Sequence, residues 1–331
     1  MFLTVTPNPS QDQTLALASV LVPEGVHRVV DSINQPGGKG INVARVLASA
    51  GLPVTALLTS PTVPAGPGQH PAANSDPVVE GVAALGLDYA LSPAAGPARI
   101  NIALTSADGK TTKINGAGAP FTPALSAALA AAIEQRLLGL DWLVLAGSLP
   151  PGMEPDWYAG VVETARAAGV KVAVDTSDEP LAAIALRLPQ AAPHLIKPNS
   201  EELAQLAGVD GTELEAAAQA GDPLPVARVA STLIERGVET VLATLGGAGA
   251  VLVTAQGAWF ATSPDITVAS TVGAGDSSLA GYLIALSRGD DAPARLSAAV
   301  TYGAAAAAQP GTGLATPVLA GQLSTEVTQL Y

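Results

Sequence analysis

Cysteine is absent from this chain, which removes disulfides and thiolate metal sites. Aromatic residues make up only 3%, too few for the stacked rings on which single-stranded nucleic acid is bound. Basic residues are scarce too: 15 Lys and Arg face 28 Asp and Glu, for a formal net charge of −13. Nucleic acid binding rests on cations neutralising phosphates, so any phosphate ligand here is small and locally gripped. No uninterrupted apolar run reaches the roughly 18 residues needed to cross a bilayer. The opening Met1-Phe2-Leu3-Thr4-Val5-Thr6-Pro7-Asn8 has neither a basic n-region nor an extended apolar h-region. The expectation is a protein without a signal peptide, working in the cytoplasm and away from membranes. His27, His70 and His194 are scattered without metal-ligand spacing.

Hydrophobic residues are plentiful, at 48% against 13% charged, which fits a compact chain with a sizeable core. Short apolar runs alternate with longer alanine-rich amphipathic segments, the pattern of βα units around a mostly parallel sheet. Strands are predicted at 2–6, 54–58, 142–145, 170–174, 194–196 and 240–243. Helices are predicted at 41–50, 123–137, 155–168, 200–207, 226–236, 277–287 and 292–308. Ligands in such folds sit at the carboxyl ends of the strands. Residues 98–104 alternate in period two and are followed by an Asp108-Gly109 turn and 111–114, a β-hairpin without a helix partner. With the region 11–35 it forms a small sheet projecting as a lid or an oligomer contact. The stretch 60–77, rich in Pro, Gly, Ala and Asn, reads as a surface loop. With no internal repeat or linker, 1–331 reads as one domain, with lid segments at approximately 11–35 and 98–115.

Within this frame, Ser270-Thr271-Val272-Gly273-Ala274-Gly275-Asp276-Ser277 leads a glycine turn into a helix. Backbone N–H groups and the positive helix end make such a turn an anion trap. Asp276 beside it is either an N-cap or the acceptor of a proton from an attacking hydroxyl. Gln35-Pro36-Gly37-Gly38-Lys39-Gly40-Ile41-Asn42 sets a lysine between glycines at a helix start, where Lys39 offers a point charge to phosphate. It is not a P-loop, because Gly40 follows Lys39 where Ser or Thr is required.

Arg99 and Asn101, two apart on a strand, share one face and suit a phosphate. Ile196-Lys197-Pro198-Asn199-Ser200-Glu201-Glu202 is either a capping box of Asn199 and Glu202 or a magnesium-water site using the same oxygens. The glycine-dense turn Thr244-Leu245-Gly246-Gly247-Ala248-Gly249 offers backbone donors and a hydroxyl, or is a plain hairpin turn. Ala146-Gly147-Ser148-Leu149-Pro150 ends another strand at the ligand edge.

In this order, these motifs resemble the PfkB, or ribokinase-like, carbohydrate kinases, and within them the 1-phosphofructokinase group, over nearly the whole chain. Asn8-Pro9-Ser10-Gln11-Asp12 is similar to the group's opening element and implies that Asp12 holds sugar hydroxyls. Gly38, Lys39 and Asn42 are implied as substrate contacts, and Arg99, Asn101 and Ser148 as surrounding the sugar phosphate. Lys197, Asn199, Thr244, Gly246 and Gly249 are implied on the nucleotide side, with Glu202 and Asn199 at magnesium. Gly273, Ala274 and Gly275 are the implied anion hole and Asp276 the base. Three departures stand out: Pro7 where relatives usually carry Leu, the Pro-rich 60–77 stretch, and Pro310-Gly311 where Asn is common.

The resemblance implies an α/β fold, a ribokinase-like Rossmann-type three-layer sandwich with a small β-sheet lid. It implies phosphoryl transfer from ATP with Mg2+ to a sugar phosphate, fructose 1-phosphate becoming fructose 1,6-bisphosphate, in a homodimer joined through the lid sheets. Tagatose-6-phosphate and fructose-6-phosphate kinases share most of the motifs. A catalytically silent sugar-phosphate sensor requires loss of base or metal residues, and Asp276 and Glu202 are both present. A dehydrogenase is disfavoured because no Gly-x-Gly-x-x-Gly follows the first strand.

Overall fold

The computed structural model describes residues 1–62 and 76–331; His70 and most of the 60–77 stretch lie outside them. Numbered along the chain, the strands are β1 (Phe2–Thr6), β2 (Ser10–Leu17), β3 (Val29–Gly37), β4 (Val54–Ser60), β5 (Asp88–Pro93), β6 (Arg99–Thr105) and β7 (Thr111–Asn115). They continue with β8 (Trp142–Ala146), β9 (Lys171–Asp175), β10 (Leu195–Ile196), β11 (Thr240–Thr244), β12 (Gly249–Thr254), β13 (Gly257–Thr262) and β14 (Val327–Gln329).

Ten of them form one sheet in the order β14-β13-β12-β11-β10-β9-β8-β1-β4-β5. From β5 to β11 neighbours run parallel, and β12, β13 and β14 add an antiparallel edge. Central strands such as β8, Trp-Leu-Val-Leu-Ala, are buried at every position, because helices cover both faces of the sheet and leave no polar side to alternate. One face packs Leu129, Ile133, Tyr158, Val162, Leu203 and Leu233 from its helices. The other packs Val43 and Leu47 of the helix Lys39–Ser49, Leu283 of the helix Ala274–Ser287, and Val300. This is a three-layer α/β sandwich, as expected. Among the described residues no helix is long and apolar enough to cross a membrane.

The remaining strands form a four-stranded sheet in the order β3-β2-β6-β7. The Asp-Gly hairpin is present: Gly109 sits at φ 82, a backbone conformation that glycine adopts without strain. Parallel register pairs Ser10 with Arg99 and Asp12 with Asn101, so these polar groups share one face. Ile102 pairs with Ile114 on the opposite face, where Ile100 and Ile114 are 51% and 54% exposed.

Several elements escaped the periodicity. The helices Pro77–Ala84, Asp178–Leu186 and Gly211–Gln219 were not anticipated, nor were β5, β13 and β14. β5 reads Asp-Tyr-Ala-Leu-Ser-Pro, an edge segment whose Asp and Pro mask a strand signal. The Asp276 helix begins at Ala274, not Ser277, because Gly273 at φ 75 makes its N-cap without a side chain. Asp276 therefore stands inside the first turn.

Candidate active site

Helix starts at the carboxyl edge of the large sheet bring the first group of residues together. Gly38, at φ 125, leaves room where a Cβ would lie 2.6 Å from Thr6 Cγ2; one on Gly40 would lie 2.4 Å from Thr6 Oγ1. Both glycines let the helix Lys39–Ser49 begin directly against the end of β1. Lys39 Nζ then donates to Asp175 Oδ1 at 2.8 Å, and Asn42 Nδ2 donates to Asp276 Oδ2 at 2.8 Å. From the end of β10, Lys197 Nζ lies 3.2 Å from Asp175 Oδ2, an ion pair without an aligned hydrogen bond. A Cβ on Gly275 would lie 3.3 Å from the same ammonium, so Lys197 stands over the opening turn of the Asp276 helix. That helix end carries no side-chain cap, and its first intrahelical bond runs from Ser277 N to Gly273 O. The N–H groups of Ala274, Gly275 and Asp276 are consequently unclaimed by the helix, an arrangement that attracts phosphate oxygens.

Two buried carboxylates and two lysines set one another's charge. Burial, and after it the negative charge of Asp175, pushes the Asp276 carboxyl up to about 6; Lys39, the Asn42 hydrogen bond and Lys197 oppose the rise. Burial alone would also raise Asp175, but Lys197 and Lys39 overcome it and hold that carboxyl below its ordinary value. Burial would lower Lys39, yet Asp175 and then Asp276 drive it above the usual lysine range. Asp276 is thus a stronger base than a solvated aspartate and still ionised at neutral pH.

The second group lies on the small sheet. Asp12 Oδ1 accepts from Ser10 Oγ at 2.7 Å and from Asn101 Nδ2 at 3.0 Å. A Cβ on Gly37 would lie 2.2 Å from Asp12 Oδ2, so only glycine lets this carboxylate rest on the strand leading to Lys39. Arg99 Nη1 donates to Gly116 O at 3.2 Å, while Arg99 Nε and Asn101 Oδ1 are buried without hydrogen-bond partners. Ser148 Oγ lies 3.5 Å from Asn8 Nδ2. Its neighbour Gly147, at φ 99, has its carbonyl held by Tyr158 Oη and Thr176 Oγ1, each at 3.0 Å.

The third group flanks β11. Asn199 forms a bridge with Thr244, and Thr244 N donates to Pro198 O at 2.9 Å. The capping box is formed in full: Glu202 N donates to Asn199 Oδ1 at 2.8 Å and Asn199 N to Glu202 Oε2 at 2.9 Å. Glu202 Oε1 takes no part in it. Burial raises the Glu202 carboxyl above its usual value. Gly246, at φ 55, opens a short turn, and a Cβ on Gly249 would lie 1.9 Å from Ala261 O, so the pairing of β12 with β13 requires glycine there. Among the described residues no three His, Cys, Asp or Glu side chains cluster as a metal site.

Asp175 is the residue that sequence reasoning missed. It ends β9, is 1% exposed, and joins Lys39 to Lys197. An acid closing the apolar run Lys171-Val-Ala-Val-Asp175 at the ligand edge was its only signal.

A family model described as pfkB family carbohydrate kinase matches residues 10–319. The chain is 36% identical to a 1-phosphofructokinase of Rhodobacter capsulatus, over 91% of this chain and 89% of that protein. It is 35% identical to a 1-phosphofructokinase of Xanthomonas campestris, over 86% and 83%. Among solved structures, phosphofructokinase-2 from Escherichia coli in complex with substrates and products superposes with a TM-score of 0.83 at 27% identity, covering 97% of both chains.

Proposed function

The chain belongs to the pfkB family of carbohydrate kinases, and from that premise we propose that it transfers the γ-phosphoryl group of ATP to the free primary hydroxyl of fructose 1-phosphate, yielding fructose 1,6-bisphosphate in the cytoplasm. The observation that carries the mechanism is the placement of Asp276: buried, held by Asn42, and set in the uncapped first turn of its helix beside Lys197. Asp276 accepts the hydroxyl proton as the oxygen attacks phosphorus. Charge developing on the transferred group is stabilised by the N–H groups of Gly273, Ala274 and Gly275 and by Lys197. Lys39, Arg99, Asn101 and Ser148 surround the phosphate already on the sugar, Asp12 holds its hydroxyls, and Gly38 and Asn42 contact the substrate, so that binding energy positions the reacting oxygen. Thr244, Gly246 and Gly249 line the nucleotide side.

Magnesium fits the donor set. The ion keeps most of its water and needs only one or two protein oxygens, and Glu202 Oε1 stands outside the capping box while Asn199 Oδ1 accepts only within it. When bound, it would neutralise phosphate charge.

We read 1–331 as one kinase unit in which the small sheet is a lid, excluding water that would otherwise compete with the sugar for the phosphoryl group. The exposed Ile100 and Ile114 on its outer face support a homodimer in which two lid sheets cover each other. Sedimentation as a monomer at micromolar concentration would remove that reading.

A further solved structure of phosphofructokinase-2 from Escherichia coli, in complex with fructose 6-phosphate, superposes with a TM-score of 0.81 at 25% identity, which favours that sugar phosphate as the second choice of acceptor. Coupled assays with fructose 1-phosphate, fructose 6-phosphate and tagatose 6-phosphate decide between them. We expect kcat/KM to be highest for fructose 1-phosphate. A higher value for either 6-phosphate reassigns the acceptor, and no turnover with any of them defeats the proposal.

A further inference from the structure

Ser148 stands between two sets of hydrogen bonds that no step of the proposed mechanism uses. On one side, the Gly147 carbonyl accepts from Tyr158 Oη and from Thr176 Oγ1, each at 3.0 Å. Both donors are buried, Tyr158 on the helix Trp157–Ala167 and Thr176 just past β9. Gly147 N in turn donates to Asp175 O at 2.9 Å, so the peptide groups before and after Gly147 are both held. A Cβ on Gly147 would lie 3.8 Å from Lys39 Cβ, which places the turn beside the start of the Lys39 helix. One hydrogen bond would satisfy this carbonyl. The second, from a separate element, fixes the rotation of the peptide plane and with it the direction in which Ser148 leaves the strand.

On the other side, Ser148 Oγ lies 3.5 Å from Asn8 Nδ2, which donates to Ala117 O at 3.0 Å. Because a carbonyl only accepts, that bond assigns the nitrogen of the Asn8 amide to the side facing Ser148. The serine oxygen therefore meets a donor, and its own proton is left for an acceptor such as a phosphate oxygen.

We propose that Tyr158 and Thr176 are positioning residues of the acceptor site: by gripping one carbonyl they set the Gly147-Ser148 turn so that the Ser148 hydroxyl donates to the phosphate already on the sugar. This rests on the reading of Ser148 as a neighbour of that phosphate. Neither residue touches the substrate; each acts through Ser148. Their effect therefore falls on sugar-phosphate binding and disappears once the Ser148 hydroxyl is gone.

The test uses the full chain with Tyr158→Phe, Thr176→Val, Thr176→Ser and Ser148→Ala, and with Ser148→Ala added to each of the first two, reading steady-state kinetics for both substrates and thermal melting. Ser148→Ala is expected to raise KM for fructose 1-phosphate about tenfold, and Tyr158→Phe and Thr176→Val about threefold each, with KM for ATP near the parental value. Thr176→Ser, which keeps the hydroxyl, recovers the parental KM, and the combined variants are no worse than Ser148→Ala alone. Tyr158→Phe and Thr176→Val also lower the melting temperature, since each removes a buried hydrogen bond; the selective rise in KM is what a structural role alone would not produce. A parental sugar-phosphate KM in either variant, with a raised KM in Ser148→Ala, would strip that residue of the role and leave the reading of Ser148 standing. Losses that add to that of Ser148→Ala, or equal changes for both substrates, would make the pair structural only. A parental KM in Ser148→Ala would remove the reading of Ser148 and the inference with it. Thr176→Val against Thr176→Ser decides the matter should Tyr158→Phe fail to fold. If the parental protein prefers another sugar phosphate, the same variants on that substrate judge the two residues separately from the choice of acceptor.

Discussion

The charged cluster of the body and the polar cluster of the small sheet are built on opposite terms. In the body, Lys39 and Lys197 share Asp175, and Asn42 holds Asp276. In the small sheet, Arg99 Nε and Asn101 Oδ1 are buried and unpaired, whereas Asp175 Oδ2 in the body, also without an aligned hydrogen bond, has the Lys197 ammonium 3.2 Å away. A buried polar atom without a partner is unfavourable unless a ligand supplies one. On the proposed reading, the charges for the chemistry are thus paired in advance, whereas the acceptor's grip is complete only with the acceptor in place.

The largest effect that separates the two clusters is on turnover. Asp276→Asn removes the proton acceptor with little change in shape, and loss of a general base costs roughly 10²–10⁴-fold in rate. We expect kcat to fall by that factor with both substrates still bound, measured by steady-state kinetics and calorimetry. A near-parental kcat would show that the base lies elsewhere. Asp175→Asn attacks the same cluster through its stability. Removing one partner of a buried ion pair costs roughly 3–5 kcal/mol, and the low end applies because the Lys39 side chain is 37% exposed. Urea unfolding reads this directly, and an unchanged midpoint would mean that the lysines do not depend on Asp175.

On the other side of the comparison, Arg99→Ala should leave the body intact and weaken only the grip on the sugar. A hydrogen bond to a charged partner contributes roughly 1.5–3 kcal/mol, so KM for the sugar phosphate rises by that equivalent while KM for ATP holds. Equal losses for both substrates would make Arg99 structural. The pH profile sharpens the same contrast. Asp276 must be ionised to accept a proton, and its carboxyl is pushed up to about 6, so kcat/KM should fall about tenfold per unit as pH drops below that value. Asp175 is, after burial, the main cause of that rise. In Asp175→Asn the inflection therefore moves to lower pH, and an unmoved inflection would break the assignment.

How much of this could be read from residues follows the same divide. Glycines at 37, 38, 40, 147 and 273 announce tight backbone passages, and the Asp108-Gly109 turn announces the hairpin, because local geometry restricts what side chain is tolerated. The polar face of the small sheet was legible from period two alone, which set Arg99 beside Asn101. Asp175 was not, since one acid ending an apolar strand looks like any other until two lysines from distant segments converge on it. The contact of Asn42 with Asp276 spans 234 residues, beyond any local pattern. The start of the Asp276 helix was misplaced by three residues because a glycine cap carries no side-chain signal.

Glu202 allows the finest test, because it has one oxygen in the fold and the other outside it. Oε2 closes the capping box on Asn199 N at 2.9 Å, and glutamine serves that position as well as glutamate does. Glu202→Gln should therefore leave stability within about 0.5 kcal/mol of the parent. If Oε1 takes part in magnesium binding, the loss of its charge raises the magnesium concentration needed for half-maximal rate several-fold, with KM for the sugar phosphate unmoved, since Glu202 takes no part in that grip. Because burial already raises the Glu202 carboxyl, the magnesium requirement of the parent should also climb as pH falls toward the carboxylate range, and that climb should be absent in the glutamine variant. Parental magnesium dependence together with parental stability would reduce Glu202 to a helix cap, leaving the body's chemistry to Asp175, Asp276 and the two lysines.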